Sequence, residues 1–137
     1  MADPGEMNAT LIEEFRANNG KVASFGDVPL LILHSTGAKT GLERISLLVY
    51  QDLGGSWAIF ASAGGAPTNP AWYHNVVANP DVEIEVGRFT HKATARVASE
   101  AERQRIWDRQ RAMMPHIDEF AARSGRVIPV IVLDPVS

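Results

Sequence analysis

The sequence predicts a small, mainly β domain of the α+β kind. About six short, mostly antiparallel strands should form a barrel, with helices packed outside it and across its mouth. Three observations carry that expectation. Short apolar or alternating segments follow one another through glycine turns, mostly with no crossover helix between them. Two neighbouring segments, "VEIEVG" and "FTHKATARVA", alternate strictly and read as a hairpin with one wet face. The 137 residues suffice for one domain and are too few for two ordinary ones.

Taken in order, residues 1–8 are expected to be loose. "ATLIEEFRANNG" sets Leu11, Ile12 and Phe15 at helical spacing and stops at Asn-Asn-Gly, predicting a helix from Met7 to Asn18. "PLLILHS" is a short, wholly apolar strand. "RISLLVYQD" is a second, and "LGG" turns the chain into a third, "SWAIFAS". Asn69 suits an N-cap and Pro70 a first helical residue, so a short helix should run to about Ala78. Beyond it Val82, Ile84 and Val86 share one strand face, while Glu83 and Glu85 share the other, which should be solvated. Ser99 with Glu102 makes a capping box that opens a helix through about Met114, where Pro115 stops it. "HIDEFAARSG" reads as one or two further helical turns ended by Gly125. "VIPVIVLD" closes the chain as a strand, and Pro129 points to an edge position or a bulge within it.

Composition excludes several classes of function. Hydrophobic residues make up 45% and charged residues 21%, an ordinary globular mixture. A net charge of −3 gives no general attraction to nucleic acid, so any anion site must be local. With no cysteine there is neither disulfide nor thiolate chemistry. No apolar stretch approaches the roughly 20 residues that span a bilayer, and the N-terminus lacks a signal-like apolar core. The expectation is a cytoplasmic protein without stable membrane insertion, at most peripheral. Glu6, Glu13 and Glu14 against one Arg16 argue against an anionic lipid surface for the first helix.

Two stretches carry chemistry. "HSTGAKTGLER" places two glycines, three hydroxyls, Lys39 and Arg44 between apolar runs. It reads either as a solvated hairpin turn or as an anion nest, in which backbone N–H groups converge and the cations add charge. A nucleotide P-loop is rejected, because Ala38 rather than glycine precedes Lys39 and a strand follows. "ASAGGAPTNPAWYHN" is either a flexible connection or a bare backbone that a flat ligand can approach closely. His34, His74, His91 and His116 are scattered, so no metal site is expected. A serine-hydrolase elbow is absent. Met113, Met114, Ile117 and Phe120 form an apolar cluster that serves either helix packing or a lid over an apolar substrate.

In that order and at that spacing, the two stretches resemble the deazaflavin-dependent nitroreductase family. Its members are coenzyme F420-dependent oxidoreductases on a split β-barrel of the FMN-binding kind. The likeness covers roughly residues 28 to 134. It implies that the turn built from Gly37, Lys39, Thr40, Gly41 and Arg44 holds the cofactor's phosphate and acidic tail. It implies that Ala61, Ser62, Ala63 and Gly64 lie along the deazaflavin ring, and that Trp72 matches the family's tryptophan. Ser62 becomes the candidate catalytic residue, donating a proton directly or through water. Met114, Ile117 and Phe120 become candidates for the acceptor's pocket. Many relatives carry a basic residue where Ala63 stands. Nitroimidazole-activating relatives carry tyrosines where this chain reads "MMPHIDEF". An apolar acceptor such as a quinone is therefore expected ahead of a bulky nitro compound. The alternatives are FMN in place of F420, or a non-catalytic carrier of the cofactor, and the assembly is expected to be a monomer or a homodimer.

Overall fold

A computed structural model describes residues 4–26, 28–62 and 67–136. Among the described residues the chain forms α1 (Pro4–Ala17), a short 3-10 turn (Ala23–Phe25), β1 (Leu30–Thr36), β2 (Glu43–Asp52) and β3 (Trp57–Phe60). Then follow α2 (Ala71–Ala78), β4 (Asp81–Val86), β5 (Phe89–Val97), α3 (Glu100–Met113), α4 (Ile117–Ser124) and β6 (Val130–Pro135). The six strands close into a barrel in the order β1-β2-β3-β6-β5-β4, and every neighbouring pair is antiparallel.

Three apolar clusters explain the strand patterns. Leu31, Leu33, Ile59, Val82, Ile84, Ala93, Ala95, Ile131 and Leu133 form one buried cluster, joined by Trp72 and Val76 from α2. These strand residues alternate along their strands and fill the barrel interior, and α2 lies across its mouth. The intervening residues of β1, Leu30 and Ile32, pack instead against Ile12 and Phe15 of α1. Those of β3 and β6, including Ala58, Phe60, Val130 and Val132, pack against Ile106 and Trp107 of α3 and Ile117 of α4. Strands covered on both faces read as unbroken apolar runs, which is why "LLIL" and "VIVL" do not alternate. β4 and β5 alternate more cleanly, because much of their outer face stays wet.

The capping box is present as expected. Ser99 Oγ accepts from the Glu102 N–H at 3.2 Å, and Glu102 Oε1 accepts from the Ser99 N–H at 3.1 Å. Arg96 adds two hydrogen bonds to the Glu102 carboxylate, at 2.7 and 3.0 Å, and these with the cap draw its pKa down to about 2.

Four expectations are corrected. The first helix begins at Pro4 rather than Met7, and proline suits a first turn that has no use for its missing N–H. Pro70, not Asn69, caps α2, because the Asn69 side chain is drawn off to Arg126. Pro129 lies one residue before β6, where its carbonyl accepts from the Ala61 N–H at 3.0 Å. A closed barrel offers no edge strand for it to occupy. Finally, Glu85 is not a solvated carboxylate. Its side chain is only 17% exposed and receives Arg16 Nε and Nη2 at 3.0 and 2.7 Å and His34 Nε2 at 2.6 Å. The bond from Arg16, then the one from His34, hold the Glu85 carboxyl below its usual range against the opposing effect of burial.

The Arg16–Glu85 pair ties α1 to the barrel, and Glu85→Gln should lower the unfolding free energy by about 1 kcal/mol at neutral pH. A group whose pKa is depressed on folding contributes stability above its unfolded value and loses it as pH falls through the folded one. The difference between wild type and Glu85→Gln in urea melts should therefore shrink steadily below about pH 4.5. A constant difference down to pH 2 would contradict this account.

Candidate functional site

The β1–β2 turn is a compact, internally bonded loop. Ser35 and Arg44 face each other across the ladder, as do Thr36 and Glu43. Beyond them the Gly37 N–H donates to the Leu42 carbonyl at 2.8 Å, and the Gly41 N–H donates back to the Gly37 carbonyl at 2.9 Å. The Leu42 N–H donates to Thr40 Oγ1 at 3.2 Å. Gly41 adopts φ +70°, a conformation that glycine takes at little cost. At Gly37 a Cβ would sit 2.6 Å from Thr40 Oγ1, so the turn closes only over a bare backbone there.

One tertiary contact fixes this turn to the rest of the fold. The Ala38 N–H donates to Asn75 Oδ1 at 3.0 Å, and Asn75, on α2, is 8% exposed. The sequence reading missed Asn75. Its signal was a polar residue sharing the buried face of α2 with Trp72 and Val76, at helical spacing.

These bonds narrow the anion-nest reading. The N–H groups of Gly37, Ala38, Gly41 and Leu42 are all committed inside the protein. Those of Lys39 and Thr40 carry no hydrogen bond among the described residues, and both residues are exposed. Lys39 and Arg44 likewise take part in no salt bridge among the described residues, whereas Arg16, Arg96 and Arg111 each face a carboxylate.

A cavity of about 720 Å³ opens between the turn and α2. Gly37, Lys39, Thr40 and Arg44 line it from the turn, with Ile45 and Ser46 following on β2. Ala71, Trp72, His74 and Asn75 line it from α2. The structure thus brings four of the predicted turn residues and Trp72 to one cavity of the size that holds organic cofactors. Gly41 instead borders a second hollow, of about 490 Å³, whose walls carry Glu43, Asp81 and Glu83 against His34 and Lys92. Glu43 borders both. The balance of charge makes the first cavity, not the second, the place for an anion.

The remaining predicted residues lie elsewhere. Ala61 is wholly buried in the barrel cluster, and Ser62 beside it is half-buried. Neither is among the described residues that line the 720 Å³ cavity. Ala63 and Gly64 lie outside the described residues. Ile117 is 4% exposed and packs under α3 and α4 with Trp107 and Phe60. That burial answers the open choice at Ile117 in favour of helix packing over a lid. Phe120 is partly buried against the same cluster, edge-on to His116, and Met114 Sδ accepts from Gln110 Nε2 at 3.0 Å.

Arg126, in the connection between α4 and β6, was also missed. Its Nη1 donates to Asn69 Oδ1 at 2.5 Å, and its Nη2 donates to the Ala61 and Thr68 carbonyls at 2.9 and 3.1 Å. The Ser62 carbonyl lies at 3.4 Å. Nothing in "SGRVIP" marks an arginine that reaches partners 57 to 65 residues away.

Comparison with known proteins gives the family of the chain. The family model described as F420H(2)-dependent quinone reductase matches residues 8–135. An F420H(2)-dependent quinone reductase of Mycobacterium tuberculosis is 39% identical over 124 residues, covering 87% of this chain and 83% of that protein. A solved structure described as an F420-H2 dependent reductase aligns at TM-score 0.71 and 34% identity, over 77% of this chain and 94% of its own. A second, described as a domain-swapped dimer, aligns at TM-score 0.73 and 30% identity, over 96% and 100%.

Gly37→Ala displaces the Thr40 hydroxyl, and Gly41→Ala forces a side chain into the left-handed region. Each should lower the unfolding free energy by about 1 to 2 kcal/mol in thermal melts, with the barrel's circular dichroism retained. An unchanged melting point in both would mean that the turn does not need its bare backbone.

Proposed function

Because the chain belongs to the F420H(2)-dependent quinone reductase family, we propose that the cavity between the β1–β2 turn and α2 is where this enzyme holds its coenzyme F420. The observation that carries the reading is the pair of cations, Lys39 and Arg44, which take part in no salt bridge among the described residues and face the single carboxylate of Glu43 in the lining of a 720 Å³ cavity, in a protein of net charge −3. A phosphate and an acidic tail require local positive charge, and the N–H groups of Lys39 and Thr40, without a hydrogen bond among the described residues, add two neutral donors. Arg44 can grip a phosphate through two parallel hydrogen bonds, and Lys39 acts as a mobile point charge. Trp72, 7% exposed, presents an aromatic wall whose position is fixed by the barrel core.

Bound F420, when reduced, supplies the hydride, and an acceptor of the quinone class takes it. The chain's own tasks are to bind, to exclude water and to deliver a proton. Ser62 is our candidate for the last of these. Ser62→Ala should then lower the turnover number while leaving cofactor affinity unchanged, and a loss of affinity alone would remove it from that role.

Fluorescence titration with oxidised F420 tests the site. Losing one charge-assisted hydrogen bond removes roughly 1.5–3 kcal/mol, so Lys39→Ala and Arg44→Ala should each raise Kd by about tenfold to a hundredfold. Binding should also weaken as salt rises. Absence of binding at tens of micromolar, or a flavin released from the purified protein on denaturation, would overturn the assignment. Steady-state assays of reduced F420 with a short-chain quinone and a nitroimidazole should favour the quinone. No turnover of either, despite binding, would identify a carrier instead.

A further inference from the structure

Arg126 is bonded to both ends of the connection that runs from β3 to α2. At one end it reaches the carbonyls of Ala61 and Ser62, directly after β3. At the other it reaches the Thr68 carbonyl and the Asn69 side chain, directly before α2. A guanidinium presents five N–H donors in a rigid fork, so bonds made to several acceptors at once fix their separation. The contact with Asn69 has a further effect at the helix start. Asparagine is a strong N-cap, yet α2 begins with Pro70 at that position and no side-chain cap. The N-terminus of α2 is therefore tied by Arg126 rather than by a side-chain cap of its own, in addition to the packing of Trp72 and Val76 in the barrel cluster. Among the next five residues, Ala71, Trp72, His74 and Asn75 make the α2 wall of the cavity.

We propose that Arg126 is a positioning residue for F420. It holds the start of α2 against the end of β3 and thereby sets Trp72 and Asn75 at the spacing from the β1–β2 turn that the cofactor requires. Asn75 transmits that position to the turn through its bond from the Ala38 N–H. The proposal rests on the assignment of F420 to this cavity. The bonds that carry the proposal run to the protein's own carbonyls and to Asn69, so the role proposed is positioning rather than contact with the cofactor.

The test compares Arg126→Ala, Arg126→Lys and Asn69→Ala with Arg103→Gln. Arg103, on α3, makes a comparable tie to the α4–β6 connection that also carries Arg126, its Nε donating to the Ile128 carbonyl at 2.8 Å, and it is not among the described residues that line the cavity. Two quantities are read: Kd for oxidised F420 by fluorescence, and amide exchange of residues 71–78 in the cofactor-free protein. Arg126→Ala should raise Kd at least tenfold and speed exchange at the start of α2. Arg126→Lys, which keeps the charge and three donors, should recover part of both. Asn69→Ala, which removes one of the two helix-side bonds and leaves the one to the Thr68 carbonyl, should fall between wild type and Arg126→Ala. It also keeps the test open should Arg126→Ala fail to fold. Arg103→Gln should lower the melting point with Kd unchanged. In steady state the KM for reduced F420 should rise in the Arg126 variants while the KM for the quinone stays put. Equal shifts of Kd in the Arg103 and Arg126 variants would reveal general loosening and overturn the proposal. So would wild-type affinity in Arg126→Lys, Arg126→Ala and Asn69→Ala together. Failure of the wild type to bind F420 is a separate result, and it would overturn the cavity assignment itself.

Discussion

Closing six strands into a ring removes every free backbone edge, and most of the molecule follows from that constraint. Each strand must satisfy both neighbours, so connections are confined to the two ends of the barrel. The interior of so small a ring is filled by its own side chains, with Ala93 of β5 paired to Val82 of β4 and Ala95 to Leu133 of β6. Nothing sizeable can bind inside. A ligand is left the ends and the outer faces, and α1, α3 and α4 already cover the outer faces of β1, β3 and β6. The outer faces of β4 and β5 stay largely wet, and the 720 Å³ cavity lies beside α2 and the β1–β2 turn.

Charge is sorted by the same architecture. Thirteen basic and sixteen acidic residues leave the protein weakly negative as a whole. Arg16, Arg96 and Arg111 are used to fasten elements: α1 to β4, β5 to α3 and β6, and α3 to α4. Each faces a carboxylate, and each has its own proton held more tightly as a result. Lys39 and Arg44 stand apart from that scheme. Two cations against the one carboxylate of Glu43 leave the lining of that cavity net positive, and in a protein of this net charge that patch is set off by its surroundings. Glu43, between the two hollows, marks where the sign changes.

The sequence made legible what is local. Alternation exposed β4 and β5, the Ser99–Glu102 capping box opened α3, and the glycines of "STGAKTGLER" marked a turn that needs bare backbone. The two-motif resemblance pointed to F420 because the order and spacing of short stretches survive in one dimension. What escaped was the set of contacts made across the chain. Glu85 looked solvated because its partner Arg16 is 69 residues away. Asn75 and Arg126 carry no local signature, since their roles depend on which carbonyl or amide the fold delivers to them. Ile117 shows the converse. An apolar residue after a helix suits a lid or a core equally well, and only the packing of α4 on α3 decides between them.

One consequence of α2 concerns thermodynamic linkage. The helix sends Val76 and Trp72 into the barrel cluster and lines the 720 Å³ cavity with Trp72 and Asn75, so a single eight-residue element serves as plug and as wall. Any ligand that grips the wall restrains the plug, and the energy of occupancy becomes energy against unfolding of the whole barrel. The coupling runs both ways. A conservative trim deep in the core, at Val76 or Ile84, is felt in the grip on a molecule it never touches. A lineage of such barrels can thus retune its binding from the inside, through methyl groups, while the visible motif stays unchanged.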